Sequence, residues 1–315
     1  MATKLTVSTS PHVHSEFSTQ KIMGMVILAL LPAGIVGTYF IGLRSLAVIA
    51  SCIVACVASE YLWQKCVMKT KTTVSDLSAV VTGLLLAYNL PPTIPLWMAV
   101  CGSIFAIIVV KHFYGGIGCN IVNPALAARA MMLISWPTAM TTWTVQGISG
   151  ATPLAALKAG NAVNISCWDL IVGNMGGCIG ETCSVLLILG GAYLIWEEVI
   201  SWRIPVIYIA TASILGACFG HGALTHEIFA GGLLIGAFFM ATDYTTSPMS
   251  AKGQYIYAFG CGLLTALIRT WGGYPEGVTF SILIMNIAVP LIDQYTAPRV
   301  FGAPKSNFFK RTGGK

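Results

Sequence analysis

Gly83-Leu-Leu-Leu-Ala-Tyr-Asn89-Leu-Pro91-Pro92 is an apolar run that stops on a double proline, and Gly232-Leu-Leu-Ile-Gly-Ala237 leads to a second stop at Thr242-Asp243 and Ser247-Pro248. After the first break, Cys101-Gly102 opens an apolar segment that ends in Lys111 and Phe113-Tyr-Gly-Gly116. After the second, Cys261-Gly262 opens one that ends in Arg269 and Trp271-Gly-Gly273. The features recur in the same order, so the chain reads as two related halves. Interrupted apolar helices at matching positions of inverted repeats point to a binding site near the bilayer midplane. Gly and Pro are also common in membrane helices for other reasons.

Working outward from these breaks, a ruler of about 20 residues per spanning helix divides the chain into ten apolar segments. They are 22–42, 46–67, 76–90, 96–112, 121–137, 181–197, 203–220, 226–242, 253–270 and 279–294. The expected fold is an all-α polytopic membrane protein with about ten transmembrane helices in two inverted five-helix repeats. Five spans per half is an odd number, so the second repeat enters the bilayer upside down. The expected division is a cytoplasmic arm 1–20, a first repeat 21–137, an outer loop 138–180 with short re-entrant helices, a second repeat 181–295 and a cytoplasmic tail 296–315.

Composition agrees. Of 315 residues 56% are hydrophobic and 9% are charged, with a mean hydropathy of +0.79. Soluble domains carry about 25% charged residues, so this chain cannot keep its surface in water. The net charge of +6 is spread over short loops and forms no stripe for nucleic acid. Thirteen Lys and Arg residues, Lys65, Lys69, Lys71 and Lys111 among them, fall on one side of the predicted spans, against Arg44, Lys158 and Arg269 on the other. The positive-inside rule then puts both termini in the cytoplasm. Met1 to Gln20 is polar and the first apolar stretch runs on for a full span, so no cleavable signal peptide is expected. The ten cysteines never form C-x-x-C, which argues for small core residues over a zinc or iron-sulfur set; Cys101 and Cys119 are the best placed to share a cluster with a partner.

The loop carries the most informative local chemistry. In Val145-Gln-Gly-Ile-Ser149-Gly150-Ala151-Thr152-Pro153-Leu-Ala-Ala-Leu-Lys158, Thr152 stands at an N-cap and Pro153 at the first helical position. An anion attached to that hydroxyl would be stabilised by free N–H groups and the helix dipole. By local chemistry alone, ordinary helix capping explains the same residues.

The wider sequence adds to this. Ser149-Gly150-Ala151-Thr152 resembles the flavinylation signature of the Rnf complexes and the sodium-pumping quinone reductases. Further blocks carry the same resemblance: Ser10-Pro11-His12, Gly115 to Ala130 through Asn123-Pro124 and Arg129, Phe239 to Met249, Tyr274 to Val278, and Asn286 to Asp293. They cover nearly the whole chain in order, and identify it as similar to the family that joins the D subunits of Rnf complexes with the B subunits of the sodium-pumping NADH:quinone reductases. The first span begins after only about twenty residues, which resembles the Rnf branch more. One position departs: the signature usually opens with an acid six residues before the Thr, and here that residue is Gln146.

The resemblance implies FMN joined through its phosphate to Thr152 by a flavin transferase, and a second, non-covalent flavin, riboflavin, within the bundle. It implies partner subunits: an outer-side flavoprotein, membrane subunits bearing iron-sulfur clusters and a cytoplasmic NAD-binding module. Together these would couple ferredoxin oxidation by NAD+ to Na+ or H+ export across the inner membrane of a prokaryote. Other candidate contacts are polar residues inside apolar segments, which are costly there and so mark function. They are Arg129, Asn123, Asn89, Thr242, Asp243 and Ser247. Arg129 can equally pair with a carboxylate. Asp76, Asp243, Asp293 and Glu60 are weaker candidates as ion ligands, and the five histidines make no metal set. A solute channel or transporter would use the same inverted repeats without a cofactor, and no G-x-S-x-G motif supports a hydrolase.

Overall fold

The computed structural model describes residues 17–70, 72–145, 148–149, 154, 158, 177–181, 183–220, 224–273 and 276–298. In the first half α1 (Thr19–Ile41) is capped by Ser18, whose hydroxyl accepts from Lys21 N at 3.2 Å, and turns through Gly42 at φ 105° into α2 (Leu43–Leu62). Glycine adopts this φ without the clash a Cβ would bring. α2 runs on as a π-helical turn, Trp63–Met68. Then follow α3 (Ser78–Tyr88), α4 (Leu96–Ile104) with a π-helical continuation Phe105–His112, α5 (Pro124–Ser135) and α6 (Pro137–Thr141). A minimal antiparallel pair, β1 (Thr144–Val145) with β2 (Ile148–Ser149), is the only sheet among the described residues.

The second half holds α7 (Ser184–Trp196), α8 (Arg203–Cys218), α9 (Leu224–Phe229), α10 (Leu233–Ile235) with a π-helical continuation Gly236–Met240, α11 (Ala251–Trp271) and α12 (Val278–Thr296). The segment expected as one helix over 226–242 is therefore broken. Gly231 adopts φ +77°, which ends α9 and restarts the chain as α10.

Among the described residues, three helices are long and apolar enough to cross a membrane, Thr19–Ile41, Leu43–Met68 and Val278–Thr296, and five shorter apolar helices accompany them. The bundle is apolar outside, where Leu28, Ile35, Val54, Ile134, Leu189 and Ile287 are exposed, while Glu60, Lys111, Arg129, Glu181, Glu227 and Arg269 are buried within. That distribution belongs to a multi-pass membrane protein, in which ionisable groups face the bundle interior. Inside each half, α2 packs on α3 and α4, and α8 on α11, which packs on α12; between the halves, α1 packs on α7 and α5 on α12. Small residues permit the close approaches. A Cβ on Gly34 would collide with the Tyr88 hydroxyl, which donates to Leu30 O at 3.0 Å.

Candidate functional site

Among the described residues, the candidate contacts gather in two polar clusters inside the bundle. The first surrounds a cavity of about 340 Å³ lined by α1, α3, α5 and both π-helical continuations. Asn123 lies at its wall because it caps α5. Its Oδ1 accepts from Ala125 N at 3.0 Å and Leu126 N at 3.3 Å, and its Nδ2 donates to Met240 O at 3.2 Å. Capping satisfies N–H groups that the first helical turn leaves open. Thr242 and Asp243 join it, with Lys111, Asn120 and Thr245. Asp243 Oδ2 accepts from Thr245 Oγ1 at 3.1 Å and Thr246 Oγ1 at 3.3 Å, and Asn120 Nδ2 donates to Thr245 Oγ1 at 3.0 Å. Phe238 and Phe239 supply apolar wall. Ser247 stands beside this group, its backbone N–H donating to Asp243 O at 3.1 Å.

Lys111 connects the cavity to a buried ion pair. Its Nζ lies 2.9 Å from Glu60 Oε2 and 3.1 Å from Oε1, and 2.7 Å from Ser78 Oγ. Two of the cavity's walls are π-helical, and such irregularities recur at functional sites.

The second cluster gathers at the break after α3. Arg129 Nη1 donates to Asn89 Oδ1 and to Thr279 Oγ1, each at 3.1 Å, and Nη2 contacts Cys178 Sγ at 3.4 Å and pairs with Glu276. Asn89 in turn donates to Leu85 O at 2.7 Å. Glu181, 6% exposed, closes the group. Arg129 thus takes the carboxylate-pairing role that its sequence position left open. The sequence reading missed Cys178, Glu181 and Glu276. An acid at the start of an apolar run, as in Gly180-Glu181, was the available signal.

Thr152, Gly150 and Ala151 lie outside the described residues, as does most of 138–180 with its expected re-entrant helices. Ser149 is described by its backbone, which pairs with Thr144. Two residues downstream of Thr152 are anchored. Leu154, 1% exposed, packs with Ala230, and Lys158 Nζ donates to Gly272 O. Leu154 and Lys158 thus meet the ends of α9 and α11, near the buried pair Arg269–Glu227, whose atoms are 2.8 Å apart. Cys101 and Cys119 are both exposed.

A sequence model describing the NQR2, RnfD, RnfE family matches residues 6–302. The chain belongs to that family. Among family relatives, it is 51% identical over 308 residues to the D subunit of the Na+-translocating ferredoxin:NAD+ oxidoreductase complex of Acetobacterium woodii, covering 96% of each chain. It is 47% identical over 318 residues to the D subunit of the proton-translocating ferredoxin:NAD+ oxidoreductase complex of Clostridium ljungdahlii, covering 94% of this chain and 96% of that one. A third family relative, the D subunit of the ion-translocating oxidoreductase complex of Aliivibrio salmonicida, is 36% identical over 346 residues, covering 95% and 99%.

Proposed function

We propose that this chain is the D subunit of an ion-translocating ferredoxin:NAD+ oxidoreductase complex, a membrane subunit that carries electrons on flavin and does not complete the reaction alone. The observation that carries the reading is near full-length similarity to D subunits, at 51% and 47% identity. One of these relatives is named for Na+ and the other for protons, so the similarity supports ion export and leaves both ions open.

On this reading the fold is ten spans in two inverted five-helix repeats, with both termini cytoplasmic and 138–180 on the outer face of a prokaryotic inner membrane. The pairing of α1 with α7 and of α5 with α12 supports it, because a pseudo-two-fold axis brings the first helices of the two halves together and likewise the last. FMN is held as a phosphoester on Thr152 after the action of a flavin transferase. Leu154 and Lys158, downstream of Thr152, both contact the second half.

The cavity suits the second flavin, riboflavin. Its size falls within the range of small-molecule sites, about 300–1,000 Å³. Phe238 and Phe239 offer apolar wall for a flat ring, and Asn120, Asn123, Thr242 and Thr245 offer hydrogen bonds to polar edges. Flavins supply the electron-transfer chemistry when bound; the chain binds and orients them and excludes water. Its partners are an outer flavoprotein, membrane subunits with iron-sulfur clusters and a cytoplasmic NAD-binding subunit.

The test is direct. Purified from cells that also make the transferase, the chain should be yellow and fluoresce on a denaturing gel. A colourless chain would favour a cofactor-free channel built on the same repeats.

A further inference from the structure

We propose that the Asp243 carboxylate makes the cavity selective for a flavin with a neutral polyol tail, riboflavin, and turns away flavins that carry phosphate. The inference rests on reading the cavity as the second flavin site and adds the residue that chooses its ligand.

A bound phosphate is held by cations or by free N–H groups, and this cavity wall has spent both. Lys111 is the one Lys or Arg among the described residues that line it. An ammonium has three N–H donors, and Lys111 Nζ directs them at Glu60 Oε1 (3.1 Å), Glu60 Oε2 (2.9 Å) and Ser78 Oγ (2.7 Å). The N-terminus of α5 also lies at the wall, through Asn123, Pro124 and Ala125. Proline has no N–H. The N–H groups of Ala125 and Leu126 donate to Asn123 Oδ1, and that of Ala127 to Asn123 O. This helix end has no donor left for an anion.

Against these spent donors stands a carboxylate without a counter-charge. Among the described residues Asp243 forms no ion pair. Its Oδ2 accepts from the hydroxyls of Thr245 and Thr246. Burial pushes the Asp243 carboxyl above its ordinary value, and these hydroxyls pull it back together with the backbone N–H groups of Thr245 and Tyr244. Donors of this kind favour the charged form. With Lys111 and Glu60 cancelling, the wall keeps the negative charge of Asp243. A phosphate there meets a like charge, whereas the hydroxyls of a ribityl chain donate to a carboxylate. The phosphate thus sorts the two flavins of the chain: an ester on Thr152 requires it, and the cavity refuses it.

The experiment uses the full chain with Thr152→Ala, so that only non-covalent flavin is counted, in lipid nanodiscs. Riboflavin, FMN and riboflavin 5′-acetate, a neutral ester with a tail lengthened like that of FMN, are titrated by flavin fluorescence. The chain should bind riboflavin tighter than FMN by about tenfold or more, the scale of a like-charge contact, and should accept the acetate like riboflavin. Asp243→Asn should bring FMN close to riboflavin. Should Asp243→Asn fail to fold, Asn120→Lys decides: residue 120 is half-buried beside Thr245, and an ammonium there should admit FMN. A chain that binds no flavin overturns the cavity reading and this inference with it. Riboflavin and FMN bound equally, an acetate refused like FMN, or a preference that survives in the folded Asp243→Asn or Asn120→Lys chain would each leave the flavin site standing and overturn Asp243 as its selector.

Discussion

Leu154 stands over Gly231 so closely that a Cβ there would come 2.5 Å from Leu154 Cδ1. Gly231 also sits at φ +77°, where a side chain costs about 1–2 kcal/mol in backbone strain alone. Gly231→Ala should therefore push Leu154 off its seat while leaving the helices packed. The expected result is a folded chain with less covalent flavin, seen as weaker in-gel fluorescence at equal protein. Full flavinylation with unchanged proteolysis of the 138–180 loop would show that the seat does not position the loop.

Attachment itself is tested at the hydroxyl. Thr152→Ala should abolish covalent flavin without unfolding the bundle, and Thr152→Ser should restore part of it, since a phosphoester needs only a hydroxyl. Covalent flavin retained by the Ala variant, with its mass located by peptide mapping, would move the attachment elsewhere.

The buried pair Lys111–Glu60 predicts a large stability effect. Both side chains are almost fully buried, at 4% and 2% exposed. Removing one partner of such a pair leaves an uncompensated charge and costs about 3–5 kcal/mol. Lys111→Met should thus lower the unfolding temperature clearly, and Lys111→Met combined with Glu60→Gln should recover much of the loss. Equal losses in the single and double variants would mean that packing, not charge, sets the cost.

These sites divide by how they could be read. The apolar helices were legible because hydropathy is local, and Asn123-Pro124 announced its helix because capping needs only adjacent residues. The break of 226–242 at Gly231 was not legible, since glycine occurs in unbroken membrane helices as well. Asn89, Arg129, Asn123, Thr242 and Asp243 stood out one by one as polar residues in apolar surroundings. Their division into two clusters did not. Arg129 meets Asn89, Cys178 and Glu276 across 40, 49 and 147 residues of chain, and it is the packing of α5 on α3 and on α12 that brings Asn89 and Glu276 to it.

Topology offers an independent check. If, as proposed, 138–180 is outside and both termini are inside, a cysteine placed at Ala162 in a cysteine-depleted chain should react with a membrane-impermeant thiol reagent applied to whole cells. One placed at Lys310 should react only after the membrane is opened. The reverse pattern would invert the bundle and, with it, the direction in which electrons enter.

The final prediction concerns the complex. The sequence shows no pyridine-nucleotide fingerprint and no C-x-x-C motif, and on the proposed function the chain accepts electrons at one face and passes them on as one subunit among several. The purified subunit should accordingly show flavin absorbance but neither NADH nor ferredoxin oxidation. Within the assembled complex, a flavin on Thr152 lies on the electron path only if its loss stops everything downstream. The Thr152→Ala complex should therefore assemble with all its subunits and lose ferredoxin-driven NAD+ reduction and ion export together, because an electron that cannot pass cannot drive an ion. If reduction persisted without export, the flavin would serve coupling alone. If both persisted at wild-type rates, the flavin on Thr152 would be off the main path, and the electron-carrying role assigned to this loop would have to be given up.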